Sequence, residues 1–225
     1  MKANITDHAI NLEGFKYFVG GASSVGFGAF GDKRVPVGPG KLNYLDVWGY
    51  LTKDHLEDVA LTVSGFDIEF ENEKGIKLFA GLEIPGLGRL SASPSIKDVS
   101  GGKVKLMKVS PRGDGELIRQ YNASPRALNK LIDFGGSARL VETALVVVEA
   151  ELYDSFTAGL TAEGAVMVEG VLVKAELAGK WQAAKTVKMG EGTTLGYALS
   201  EPIWNASQDR NKTAIERLRP DQQGL

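Results

Sequence analysis

The chain has 225 residues, with 26 Lys+Arg against 28 Asp+Glu for a net charge of -2, and with 28 glycines, two histidines and no cysteine. That length is at the upper end for one domain, and the balanced charge excludes a chain-wide basic surface for nucleic acid while leaving room for a local basic patch. Without cysteine there is no disulfide, thiolate nucleophile, zinc ribbon or iron–sulfur cluster, and glycine at about 12%, against a usual share of about 7%, suits turn-rich β structure better than helix.

No long apolar run follows Lys2, so no signal peptide is expected. The longest wholly apolar run, Ala144 to Val148, is far short of the roughly 18 residues a membrane helix needs. Asn4, Asn122, Asn205 and Asn211 each open an Asn-x-Ser/Thr match, which matters only in a secreted chain; the expected compartment is the cytoplasm.

Residues 1–45 are glycine-rich and read as irregular, with one strand over 15–19. Gly26-Phe27-Gly28-Ala29-Phe30-Gly31 fits G-x-G-x-x-G. A dinucleotide loop must open a helix, however, and Asp32-Lys33-Arg34-Val35-Pro36 offers none, so this is a flexible turn. Thr52 can cap a short helix over 52–58 that carries His55 among Asp54, Glu57 and Asp58. A metal site would need more ligands, and a Ser–His–Asp triad would want a Gly-x-Ser-x-Gly elbow; His55 reads as a surface residue.

Residues 59–84 carry the clearest strand signal. Val59, Leu61 and Val63 alternate with small or polar residues, Gly65 shifts the phase, and Phe66, Ile68 and Phe70 alternate with Asp67, Glu69 and Glu71. A phase slip at glycine predicts a β-bulge. Asn72-Glu73-Lys74-Gly75 forms a turn, after which Ile76, Leu78, Ala80, Leu82 and Ile84 alternate again. The pattern predicts a long hairpin with one apolar and one charged face. Lys97, Lys103, Lys105, Lys108 and Arg112 then place five cations within sixteen residues, opposed by Asp98 alone. Two readings stand: a patch that meets an anionic lipid surface, or a solvated edge strand guarded by lysine.

Asp114 is placed to cap a short helix through Tyr121, and Ser124-Pro125 to open a second with Leu128, Leu131 and Ile132 on one stripe, ended by Gly135-Gly136. A second β region follows over 140–152, 156–168 and 171–181, with a turn at Gly190-Glu191-Gly192 and a last strand over 193–199. Glu69, Glu71, Glu142, Glu149, Glu151 and Glu176 fall on solvent faces of strands, and no spacing supports a glycosidase-like pair. From Asn205 the chain is polar, with Ala214, Ile215 and Leu218 at the spacing of a weak amphipathic helix. These elements predict an α+β fold: a twisted, largely antiparallel sheet with short helices around it.

The stretch Leu140-Val141-Glu142-Thr143-Ala144-Leu145-Val146-Val147-Val148-Glu149-Ala150-Glu151-Leu152 resembles the long strand late in the gasdermin pore-forming domain. Gly192 to Leu199, followed by Glu201-Pro202-Ile203-Trp204, resembles the final strand of that domain, ahead of its inhibitory region. By pattern the resemblance covers residues 59–204. It implies a gasdermin N-terminal-domain-like body over 1–204 and a short inhibitory tail over 205–225 that acts through Ile215 and Leu218. It further implies no catalysis, cofactor, metal or nucleic acid. The partners would be an activating protease, anionic membrane lipid and further copies of the chain, and the protein would leave the cytoplasm for a membrane on activation. Two segments would extend into membrane hairpins. The first, 59–84, would use Val59, Leu61, Val63, Phe66, Ile68, Phe70, Ile76, Leu78 and Leu82, on arms of 13 and 9 residues, with Asp67, Glu69, Glu71 and Glu73 facing the lumen. The second, 156–177, would turn near Glu169-Gly170 and use Phe156, Leu160, Val166, Val168, Val171 and Val173. The residues by themselves leave another reading open: a soluble β-rich subunit that self-assembles without membrane activity.

Overall fold

The computed structural model describes residues 2–5, 9–12, 14–38, 42–70, 83–84, 88–89, 103–147, 163–168, 171–177, 186–189, 194–205, 207 and 213–221. The fold is α+β and mostly antiparallel. In chain order the elements are β1 (Lys2–Ile5), β2 (Ala9–Leu12), β3 (Phe15–Phe18), β4 (Ala29–Arg34), β5 (Tyr44–Tyr50), α1 (Lys53–Leu56) and β6 (Leu61–Phe70). There follow β7 (Glu83–Ile84), β8 (Gly88–Arg89), β9 (Lys103–Pro111), α2 (Asp114–Ala123), α3 (Pro125–Phe134) and β10 (Ala138–Val147). The last are β11 (Glu163–Val168), β12 (Val171–Leu177), β13 (Thr186–Met189), β14 (Thr194–Trp204) and β15 (Ile215–Pro220).

Among the described residues thirteen strands form one sheet, and β7 pairs with β8 apart from it. Pairing runs in a closed circuit, β6-β1-β2-β3-β14-β10-β9 and back to β6. From it β4-β5 lead away at β10, β12-β11-β13 at β6 and β15 at β14, so the sheet stays open at β5 and β13. Long strands make the circuit by changing partners. Along one edge β10 pairs first with β4 (Ala138↔Asp32 to Leu140↔Phe30) and then with β9 (Ala144↔Val109 to Val147↔Leu106). Strong twist and bulges permit such a turn, and register shifts interrupt β10–β14 between Val141 and Thr143 and again between Leu145 and Val146.

Alternation along β10 assigns its two faces. Ala138, Leu140, Ala144 and Val146 join a core under the helices with Phe27, Phe30, Met107, Val109, Leu117, Tyr121, Ala127 and Leu131. Val141 joins a second core with Phe18, Val25, Leu45, Tyr197 and Leu199. Buried Tyr121 stands edge-on to Phe30, and its hydroxyl donates to the carbonyls of Gly28 (2.9 Å) and Ala29 (3.2 Å). Gly135, at φ 57, closes α3 in the left-handed region.

Several expectations are corrected. The first 45 residues hold β1 to β4 and the start of β5 rather than irregular chain. Glycine there permits close backbone approach: a Cβ on Gly31 would overlap the Asp46 carbonyl. The G-x-G-x-x-G segment runs into β4, not a helix. No bulge occurs at Gly65, because β6 pairs with β9 without interruption from Leu61↔Pro111 to Glu69↔Lys103. β6 takes β9 as its antiparallel partner and Glu83–Ile84 pairs with Gly88–Arg89, while the turn and most of the second arm of the hairpin expected over 59–84 lie outside the described residues. β9 lies between β6 and β10 and is not an edge strand. α2 starts after Gly113, with Asp114 inside its first turn. The tail segment expected as a helix is strand β15.

Candidate functional site

The C-terminal strand is tied to the rest of the chain by a ladder, by polar contacts and by an ion pair. β15 lies antiparallel to β14, from Trp204↔Ile215 to Ser200↔Pro220. One residue, Glu216, is extra on the β15 side, since Ile203 faces Arg217 while Trp204 faces Ile215. This bulge reverses the phase, so Ile215 and Leu218, three apart, both turn inward. They enter the helix-side core with Leu117, Tyr121 and Met107, with partly buried Trp204 packed against it. Burial of each is worth about 1.5–3 kcal/mol.

Polar groups fasten the strand at three points. At its start, Asn205 N donates to the Ala214 carbonyl (3.0 Å), and Ala214 N donates to Asn205 Oδ1 (3.2 Å). Asn122 of α2 then grips Ile215 as a neighbouring strand would: its Nδ2 donates to the Ile215 carbonyl (2.9 Å) and its Oδ1 accepts from Ile215 N (2.8 Å). Beyond the strand's end, Asp221 N donates to the Leu199 carbonyl (2.8 Å). The Asp221 carboxylate is 3% exposed and accepts from Lys33 Nζ (2.8 Å) and Arg139 Nε (2.6 Å), themselves 8% and 11% exposed. Arg139 is aimed by its own Nη1, which donates to the carbonyls of Gly136 and Ala138. A desolvated carboxylate between two cations is costly to break, because removing one partner strands the others' charge. On the solvent side Arg219 holds Glu201 at 2.5 Å. An open cleft of about 410 Å³ adjoins this place, lined by Gly135, Gly136, Glu201, Pro202, Ile203 and Trp204.

Next to it sits a carboxyl in an unusual state. Glu142 is the bulged residue between Val141 and Thr143, and it accepts a hydrogen bond from the fully buried Ser200, whose register partners are Leu140 and Pro220. Desolvation pushes the Glu142 carboxyl above its ordinary value; the Ser200 bond opposes this, Asp114 adds to it and Lys108 subtracts. Glu142 is therefore part-buried rather than fully solvated as its alternation suggested.

The other expected site residues fare differently. Of the basic cluster, Lys103 and Lys105 stand in register with Glu69 and Asp67 of β6, and Lys108 has its ammonium 5.3 Å from the Phe15 ring. Arg112 is exposed beyond the strand, and Lys97 is outside the described residues. Val59 and Leu61 are buried in the helix-side core. Val63, Phe66, Ile68 and Phe70 follow on β6, whereas Ile76, Leu78, Leu82, Phe156 and Leu160 are outside the described residues. β11 and β12 do pair antiparallel on either side of Glu169-Gly170, with Val166↔Val173 and Val168↔Val171 in register. His55 donates from Nδ1 to Gln120 Oε1 at 3.2 Å. Sequence reasoning missed Asn122, Lys33, Arg139 and Asp221. No local pattern marks Asp221, since its partners are 188 and 82 residues away along the chain. Among the described residues no helix is long and apolar enough to cross a membrane. Comparison with protein-family models, with curated proteins and with solved structures finds no match to this chain.

Proposed function

We propose that the chain is a membrane pore-forming protein of gasdermin type, held inactive by its C-terminal segment and released by proteolysis to oligomerise in membranes. One observation carries the reading: Ile215 and Leu218 of the tail fill the core shared by β9, β10 and the helices, and the tail covers the outer edge of β14 from Ser200 to Trp204. Loss of the tail opens that edge and uncovers apolar surface together, and both favour association with other copies or with lipid. Two further features agree with it. The ten residues of β6 fall within the about 9–11 that a membrane strand needs. β11 and β12 pair antiparallel with valines opposite one another. On this reading the protein moves from cytoplasm to an anionic membrane, needs a protease as trigger and uses no cofactor.

Dye release from anionic vesicles tests this. The intact chain should be silent and a chain ending at Trp204 should leak. Silence from both, with both folded, overturns the proposal.

A second reading draws on a different observation. Val35, Val37, Tyr44 and Trp48 are exposed and all belong to the β4–β5 hairpin at one end of the sheet. Such a surface suits a soluble subunit that assembles unprompted. Sedimentation of the intact chain separates the two: large particles without lipid or protease favour the second.

A further inference from the structure

We infer that the outer edge of β14, Asn122 of α2 and the Lys33–Arg139 pair form a peptide-binding site, and that residues 213–221 occupy it as a separable ligand. A break in the connection between β14 and β15 then leaves the strand seated, and its departure is a second, distinct event. The binding claim stands on contacts alone; only its role as a brake rests on the pore-forming reading.

Every tie on the strand described above reaches the body of the protein. The ladder goes to β14, the Ile215 backbone to Asn122, the Asp221 carboxylate to Lys33 and Arg139, and the Asp221 amide to Leu199. None of these needs residues 208–212. The covalent connection therefore supplies proximity, of the order of a millimolar effective concentration for a short linker, and the contacts supply the rest. Addition of a strand to a sheet edge, with side-chain pockets setting specificity, is a recurring way to bind an extended peptide.

The site also states what it accepts. Ile215 and Leu218 enter an apolar core at a spacing fixed by the bulge at Glu216. Asp221 must be anionic, because two buried cations converge on one of its oxygens, Oδ2. Glu216 and Arg217 are exposed and free to vary in size, and Arg219 is exposed with its guanidinium on Glu201. The ligand is an extended segment of the form Ile-x-x-Leu-x-x-Asp, and the occupant to which this commits is the chain's own C-terminal strand, in place or offered in trans.

The test uses the full chain with a protease recognition sequence in place of residues 208–212. After cleavage the two pieces are passed through a sizing column at micromolar concentration, and a labelled peptide of residues 213–225 is added to the nicked protein. The expected result is co-elution of both pieces and slow exchange with the labelled peptide. In the nicked protein Asp221→Ala should speed loss of the strand by about a hundredfold or more, the scale of a broken buried ion pair, while Glu216→Gln leaves it unchanged. Separation of the strand from a body that keeps its near-ultraviolet circular dichroism overturns the proposal. So does retention without exchange, or retention indifferent to Asp221→Ala. Vesicle leakage is read in parallel. A strand that stays bound and exchanges, with a stripped body that never leaks, keeps the binding site and rejects the pore; a strand that leaves at once from a body that leaks does the reverse.

Discussion

At Glu142 the cost of desolvation outweighs the help of the Ser200 hydroxyl, so the folded chain holds that proton more tightly than the unfolded chain does. The contribution of this group to stability is complete below its ordinary value of 4.5 and is lost as pH rises through the higher folded value. Glu142→Gln keeps an acceptor for Ser200 and cannot ionise. Melting temperature against pH should show the variant gaining on the parent above the folded value and matching it below about pH 4.5; a gain independent of pH would place the effect elsewhere. Tyr121 offers a second test. Burial pushes its phenol well above the ordinary value, so it remains a donor to Gly28 and Ala29. Tyr121→Phe leaves the ring in place and removes the donor, which should cost about 1–3 kcal/mol in urea unfolding; no loss would mean that the carbonyls are satisfied without the hydroxyl, as that of Gly28 already is in part by Leu51 N (3.1 Å). Neither residue was legible beforehand in this role. Glu142 looked like one more outward carboxylate, because a bulge that redirects it depends on its partner strand and leaves no mark on its own.

At the scale of the element, what could be read was set by how local the cause is. Pro125 and the glycines after Phe134 bracket α3, and β11 and β12 pair antiparallel on either side of Glu169-Gly170; both were legible because the signal is local. β15 was misread as a helix for a definite reason. Ala214, Ile215 and Leu218 recur at spacings of one and three, which in an isolated sequence fits a helix better than a strand. The bulge at Glu216 makes the spacing compatible with a strand. A chain lacking Glu216 has Ile215 and Leu218 at regular strand spacing and should keep both buried, with a change in unfolding free energy under about 0.5 kcal/mol. A loss of about 1.5–3 kcal/mol, the worth of one buried leucine, would show that the bulge does not set the offset. Gly65 is the converse case, a phase change that promised a bulge where the β6–β9 ladder is continuous.

For the molecule as a whole, the class of fold was readable and the circuit of strands was not. Composition and alternation carry the α+β character. The closure of β6-β1-β2-β3-β14-β10-β9 depends on partners far apart in sequence and on long strands that divide their edges between neighbours. The same remoteness hid the anchor of the tail, where Asp221 meets Lys33 from β4 and Arg139 from β10. Together these place the C-terminal strand on a sheet whose core it helps to fill. The decisive measurement is dye release from anionic vesicles by three preparations of the protein: intact, nicked with the strand seated, and with the strand removed. Leakage from the third alone is the predicted result. Silence from all three, with the third folded by circular dichroism, would contradict a pore-former restrained by its own C-terminal strand.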